Sequence, residues 1–476
     1  MGERSSYKAI VVGSGPNGLA ASITLAEAGI PVTVYERNSI IGGVCRSSEL
    51  IDPGYLHDIG SAVHPLAVAS PFFRRRPLTN HGLNWITPPT AVAHPFDDGT
   101  AVLVTRPISE TASMLDNCDK ESYHRLMRPM VDKWLEIASE VMYFPRITTR
   151  HPCTLLSFGY RVMRSSLGLA ESFFAGARAR ALIAVLGVHS VMSLEHRASA
   201  AAGLVLAVAA HTTGWLLPEG GSQRITDALS RYLIKLGGNI VADNEVYSLD
   251  QLPPCKILML DVTPHQFLKI AQKQLPDSYR RRLADYAYGP GVFKLDWILD
   301  GPIPWKANEC QIAGTVHLGG ILEEIANAER AVWNNHQPEK PFVILAQPSL
   351  FDHTRAQGSR HIVWAYSHVP KGSTFDMTGG IEAQIERFAP GFKEKIIARH
   401  VMYPSDLEKD NPNCIDGDIT GGTQSMRRLI FPGVSYDTPI ANAFLCSAST
   451  PPGPGVHGMC GVRAANLALK KMKIVR

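Results

Sequence analysis

Near the start of the chain lies a run of residues suited to holding a phosphate. In Gly13-Ser14-Gly15-Pro16-Asn17-Gly18, Gly13 permits a tight turn and Gly15 lets the backbone approach a pyrophosphate. Gly18 allows the following helix to pack on a strand, and Ser14, Pro16 and Asn17 fill the loop between them. A pyrophosphate then rests on the helix N-terminus, where free N–H groups and the dipole favour negative charge. Glu36 lies 18 residues past Gly18, where a carboxylate can bind both hydroxyls of a ribose. Such an acid fits a ribose without a 2′-phosphate, so FAD or NAD rather than NADP. Gly42-Gly43, with Arg37 and Arg46 on either side, has the form of a chain crossing the pyrophosphate a second time and selects FAD.

These residues need elements to position them. Ala9-Ile10-Val11-Val12 reads as an uncharged central strand, Leu19 to Ala28 as a helix closed by Gly29, and Pro31 to Glu36 as a second strand. Trp215 to Gly221 leads into a helix from Gln223 to Leu236. Ile240-Val241 with Glu245-Val246-Tyr247 suggests a hairpin-like crossing, and Lys256 to Asp261 another central strand ending at Thr263-Pro264. Asn442 to Cys446 reads as a further strand. Beyond it, Gly453-Pro454-Gly455-Val456-His457-Gly458 repeats the glycine spacing before a helix that starts near Met459. Without a following acid-tipped strand this is not a second dinucleotide fold. That helix N-terminus is expected to face the far end of the same FAD, where its dipole favours the charge of a reduced flavin.

Composition narrows the rest. Forty-seven basic against 43 acidic side chains give a net charge of +4 over 476 residues, which offers no reason to expect nucleic acid. Charged residues make up 19% and hydrophobic ones 45%, excluding a disordered or coiled-coil chain. The eight cysteines form no CxxC pair and read as scattered reduced thiols of a cytosol-like compartment. Cys45 follows Gly42-Gly43, but position 50 is Leu50, so no local dithiol forms and Cys45 reads as a packing residue. No signal peptide is visible, and the run Ala198 to Ala210 is too short for a bilayer and reads as a buried helix. Phe72-Phe73-Arg74-Arg75-Arg76 has the composition of a peripheral membrane contact or of a solvated basic loop.

The chain resembles the phytoene desaturase-related FAD oxidoreductases, in particular their phytoene dehydrogenase-like branch, within the glutathione-reductase/amine-oxidase flavoprotein class. The similarity rests on VVGSGPNGLAAS, ERNSIIGG, HDIGSAVHP, EGGSQRITDAL, GPGVFKLDWILDGPIPW, HLGGILEEIA and LCSASTPPGPGVHGMCG, spanning residues 9 to 464. The resemblance implies FAD, a lipophilic cavity and hydride removal by the flavin. It extends cofactor contact to Ser61 and Ala62, to Val246, Asp261 and Thr263, and to Ser449, Gly455, Val456, His457 and Met459. Of His457, the backbone rather than the imidazole is the expected contact. One departure concerns the position after Gly42-Gly43, where the amine-oxidase pattern has Arg and this chain has Val44, with Arg46 two residues later.

For catalysis, Val292 to Ile298 places Lys294 and Asp296 on one strand face and Phe293, Leu295 and Trp297 on the other. By resemblance to amine-oxidase-fold enzymes, Lys294 approaches the flavin. The alternative is a solvated surface pair of Lys294 and Asp296. His64 and His317 lie in family-matching stretches; His317 is the second catalytic candidate, although lone histidines are more often structural. No Ser-His-Asp or metal-ligand spacing stands out.

The expected fold is α/β, with a discontinuous Rossmann-like FAD-binding domain (1–105, 212–265 and 430–476), a helical cap (106–211) and a substrate-binding domain (266–429). The last carries a mixed sheet (292–299, 312–318, 342–347, 361–367). The expected activity is FAD-dependent dehydrogenation of an apolar polyene-, isoprenoid- or lipid-like substrate at a C–C bond, with oxygen or a quinone as acceptor. Amine oxidation at C–N and a weakly catalytic flavin protein acting through partner contacts are the alternatives.

Overall fold

A computed structural model describes residues 8–143, 149–430 and 433–473. Two principal sheets carry the chain. Numbered along the sequence, their strands are β1 (Ala9–Val12), β2 (Val32–Tyr35), β3 (Thr90–Pro95), β4 (Ala101–Val104), β5 (Asn239–Val241), β6 (Ile257–Leu260), β7 (Gly291–Leu299), β8 (Ala313–Leu318), β9 (Val343–Ala346), β10 (His361–Val369), β11 (Ile396–Met402) and β12 (Ala443–Leu445).

The first sheet has the order β12-β6-β1-β2-β5 and is parallel throughout. All four residues of β1 and of β6 are buried, as their uncharged sequences require of strands covered on both faces. β5 runs parallel to β2, and residues 245–247 form no strand. The expected hairpin-like crossing is therefore replaced by an edge strand, which the chain reaches only by a crossover connection. Helix Pro16–Glu27 packs between helices Gln223–Lys235 and Met459–Lys471 on one face.

The second sheet has the order β11-β7-β10-β9-β8-β3-β4. It is antiparallel except where β3 runs parallel to β8. Strands 90–95 and 101–104 belong to this second sheet, although they lie within the segment 1–105 that opens the expected FAD-binding domain. The β3–β8 pairing joins segments more than two hundred residues apart, and local sequence carries no sign of it. β11 is an edge strand with alternating exposure, and its mixed Ile-Ile-Ala-Arg-His-Val-Met composition hides it from a hydrophobicity reading.

Between the sheets the chain forms helices, among them Lys120–Val131, Ser166–Phe173, Ala177–Gly187 and Ala200–Thr212. The Ala-rich helix Ala200–Thr212 is apolar on nearly all sides and lies in one apolar cluster with Leu126, Leu182, Leu186 and Trp215. Ile344, Ala346 and Trp364 of the second sheet join this cluster, so the helices roof one face of that sheet. Its other face, with Phe293, Leu295 and Trp297, forms a separate core against Ile381, Ile385 and Phe388. Among the described residues no helix is long and apolar enough to cross a membrane. Phe72 and Phe73 are both buried, and Arg76 stacks on the Phe72 ring and pairs with Glu27. The aromatic half of the expected membrane-surface patch therefore belongs to the core.

Candidate functional site

The loop from Gly13 to Gly18 leaves β1 and opens helix Pro16–Glu27, with Pro16 in its first turn and no side chain capping it. Gly13 has φ +96°, a conformation that glycine adopts freely. A side chain at Gly18 would place its Cβ 2.1 Å from the Gly13 carbonyl oxygen. Gly43 faces Gly15, with only 3.4 Å between its Cβ position and the Gly15 Cα. Ser14 ties these pieces together. Its N–H and hydroxyl donate to Glu36 Oε2 at 2.9 and 2.6 Å, and its Oγ accepts from the Gly42 N–H at 3.0 Å. Glu36 lies just beyond β2, and its Oε1 accepts from the Asn38 N–H at 2.9 Å. Asn17 Oδ1 is buried without a partner. A glycine cradle, an acid at the end of the second strand and an unpartnered amide oxygen fit the ADP half of FAD.

Asp261 stands where β6 ends. Its Oδ2 accepts the Gly18 N–H at 2.8 Å, so a carboxylate takes a helix N-terminal amide of the kind that binds phosphate. Burial pushes its carboxyl up to about 7, against the pull of that Gly18 bond and with a further push from Glu36. Nearby, the Thr263 N–H donates to Asn413 Oδ1 at 2.8 Å. Val246 is buried against β1 and β6, and the Asn244 N–H donates to the Glu36 carbonyl. Arg46 donates to the Gly43 carbonyl at 2.6 Å and pairs with Asp410. Arg37 is partly exposed and lies 3.6 Å from Glu245.

The loop before helix Met459–Lys471 comes back to the first helix. Gly461 lies so close that a Cβ there would sit 1.9 Å from the Asn17 carbonyl oxygen. The His457 ring is buried, its Nε2 3.1 Å from the Gly453 carbonyl and its Nδ1 accepting from the Met459 N–H at 3.0 Å. Burial, opposed by the Gly453 and Pro454 backbone, holds its imidazole down at about 4. The ring is therefore engaged in holding the loop and capping the helix, while the His457 carbonyl accepts from Ser70. Val456 is half-buried, Gly455 has φ +127°, and Ser449 Oγ donates to the Gly421 carbonyl.

Asp58 ties the start of helix Gln223–Lys235 to the buried Arg355, and no sequence motif marks it for this role. Its Oδ1 accepts from Ser47 Oγ at 2.6 Å and the Ser222 N–H at 2.8 Å, and its Oδ2 from Arg355 at 2.7 Å. Asp58 and Arg355 are both fully buried. Burial opposes the charged carboxylate, yet the Arg355 guanidinium holds Asp58 below the usual carboxylate range. Ser222 Oγ donates to the Ser61 carbonyl at 2.6 Å and contacts His64 Nε2 at 2.8 Å. Ala62 is buried beside them. Burial holds His64 down at about 4, which suits a structural role. The visible signal was the HDIGSAVHP stretch; nothing in the sequence marks Arg355 as its partner. Cys45 is buried and unpaired, its Sγ 3.5 Å from the Ser222 carbonyl.

Lys294 and Asp296 are an ion pair, and it is buried rather than solvated. His57 Nδ1 lies 3.4 Å from Asp296 Oδ1. Burial works against the Asp296 charge, but Lys294 and then His57 hold its carboxyl below the ordinary value. The alternative of a surface pair fails because β7 has neighbours on both sides and every residue of it is buried.

The register of the second sheet aligns Met402, Lys294, Tyr366, Ile344 and His317 across β11, β7, β10, β9 and β8. Directly opposed residues share a face, so this row lies on the roofed side. At its Lys294 end, Val44 from the glycine-pair loop packs with Val292, Met402 and Tyr366. At the other end, His317 is enclosed by the rings of His189, Trp215 and Phe342 at 5.0, 6.0 and 6.0 Å. Neither ring nitrogen of His317 has a partner. Burial, then His189 and His94, hold its imidazole well below the ordinary range. Tyr366, in the middle of the row, keeps partial accessibility although the strand residues beside it in sequence are buried.

Comparison with known proteins agrees with this geometry. Residues 11–75 match the family described as "NAD(P)-binding Rossmann-like domain". The rat pyridine nucleotide-disulfide oxidoreductase domain-containing protein 2 is 22% identical, covering 99% of this chain and 94% of its own length. A 4,4′-diapophytoene desaturase of Staphylococcus aureus (strain MRSA252) is 21% identical over 94% of this chain and 95% of its own. Among solved structures, putrescine oxidase bound to putrescine superposes with TM-score 0.63 at 16% identity, covering 98% of both chains. An oxidoreductase from Methanosarcina mazei superposes with TM-score 0.58 at 14% identity, covering 97% of this chain and 100% of that one. With the dinucleotide cradle, the two-sheet architecture and these relatives in agreement, the chain is an FAD-dependent oxidoreductase, similar to the phytoene desaturase-related proteins.

Proposed function

We propose that the protein removes hydride from an apolar, polyene- or lipid-like substrate at a C–C bond, with oxygen or a quinone receiving the electrons. The observation that carries this reading is the sheet face from Lys294 to His317. It is roofed by an apolar helical cluster, and Tyr366 at its centre stays partly accessible. FAD, when bound, supplies the redox step. Glu36, Asn17 and the glycine loops hold its ADP half. Lys294, fixed by Asp296, presents an N–H donor at a set place beside the Val44 loop. The roof excludes water. The full-length similarity to a diapophytoene desaturase supports a lipophilic substrate.

A second reading, amine oxidation at C–N, draws on Trp364 and Tyr366. These rings meet edge to face at 5.2 Å on the same strand face as Lys294 and Asp296. Anaerobic mixing of the FAD-loaded protein with a panel of polyenes and amines separates the two. Bleaching of the flavin by polyenes alone is expected, and bleaching by amines alone would replace the first reading with the second.

A further inference from the structure

We infer that the His189 and His317 end of the roofed sheet face binds a hydroxyl group of the substrate, remote from the bond that is oxidised. The inference rests on the reading of the Lys294 end as the site of chemistry. His317 and Lys294 share a row but are separated by three strand spacings of about 4.8 Å, hence about 14 Å. A group held at His317 is therefore recognised rather than oxidised.

Unpartnered polar atoms gather at this end. His317 Nδ1 and Nε2 and His189 Nε2 are all buried without a hydrogen bond, and so, nearer the middle of the face on β10, is His368 Nε2. Their surroundings are aromatic and apolar: Trp215 packs on both His189 and His317, and Phe342 meets the His317 ring edge to face. A buried polar atom left without a partner is costly, so a protein with several of them on one wall gains when a ligand supplies the partners. A structural role looks different here. His94, the neighbouring buried histidine, sets each ring nitrogen 2.7 Å from a carbonyl oxygen.

The chemistry of the wall selects among polar groups. Burial, together with neighbouring imidazoles, keeps His189 down at about 3 and His317 well below the ordinary range. A neutral imidazole offers one donor and one acceptor. His368 Nδ1 is 2.8 Å from the buried Glu329 carboxylate and donates to it. A hydroxyl both donates and accepts and so matches this mixed capacity. An ammonium can only donate. A carboxylate meets uncharged rings and the nearby Glu329 anion. A pure hydrocarbon leaves every ring nitrogen unpaired.

The test uses the FAD-loaded protein and two ligands of equal length, a long-chain isoprenoid alcohol and the hydrocarbon with methyl in place of the hydroxyl. Binding is followed through the perturbation of flavin absorbance. The alcohol is expected to bind at least about tenfold more tightly, and His317→Phe and His189→Phe are each expected to cut that preference below about threefold while hydrocarbon affinity holds. Flavin content per chain checks that each variant is folded. Equal affinities in the unaltered protein overturn the inference, as does a preference that survives both substitutions. Anaerobic flavin bleaching by either ligand, even with equal affinities, leaves the dehydrogenase reading standing while this inference falls. If neither ligand binds and an amine bleaches the flavin, both fall.

Discussion

Lys294 and His317 face the same side of the seven-stranded sheet, in register across β7, β10, β9 and β8. One end of the row carries a buried ion pair beside the glycine-pair loop, the other an uncharged imidazole beneath the helical roof. The row therefore has two chemically different ends joined by Ile344 and Tyr366. Lys294→Met takes the cation away from Asp296 in the core and leaves it only His57 beside it; breaking a buried pair in this way typically costs about 3–5 kcal/mol. Chemical denaturation is expected to show that loss. Stopped-flow reduction of the refolded, FAD-loaded variant is expected to be at least about tenfold slower. A variant reduced at the unaltered rate would remove Lys294 from the chemistry.

Asp261 sets a pH dependence. Its folded pKa of about 7 lies above the unfolded carboxylate value. The folded state therefore binds the extra proton between those values, and the stability this contributes is lost as pH rises through about 7. The same ionisation places a negative charge against the Gly18 amide at the start of the first helix. FAD affinity is expected to fall as pH rises from 6 to 8, and Asp261→Asn to flatten both profiles. Equilibrium dialysis of FAD and thermal melts across this range provide the check.

Gly461 is where the first and last helices touch. Alanine there would drive its Cβ into the Asn17 carbonyl, and overpacking of this type costs about 1–3 kcal/mol. Gly461→Ala is expected to weaken FAD binding more than it lowers the melting temperature of the FAD-free protein, because Asn17 belongs to the phosphate loop. Equal losses would place the effect in general packing.

Phe72 is buried beside the loop that ends at Gly458. Phe72→Ala is expected to cost about 3–5 kcal/mol, as for other large core residues, and to leave binding to anionic lipid vesicles unchanged. A loss of vesicle binding without destabilisation would restore the surface reading.

The nucleotide-binding half was legible because pyrophosphate geometry dictates residue type at fixed spacing. Gly13, Gly15, Gly18 and Glu36 have few substitutes, and β1, β2 and β6 carry the uncharged pattern of buried parallel strands. The second sheet was legible only strand by strand. The β3–β8 pairing and the Asp58–Arg355 bond join segments distant in sequence, and no local pattern records which partner each will meet. Lys294 and Asp296 show the same limit. Their alternation placed them on one face correctly, but whether that face met water or a roof depended on helices more than eighty residues away.

The contact of helix Met459–Lys471 with helix Pro16–Glu27 has a consequence for biosynthesis. During translation the Asn17 and Ala20–Ala21 surface of the first helix emerges from the ribosome long before the segment that covers it. β3 and β4 likewise wait for β8 before their sheet exists. Neither sheet can be completed in order of synthesis, so the nascent chain carries bare apolar surface until late, a topology that folds slowly and invites chaperone binding.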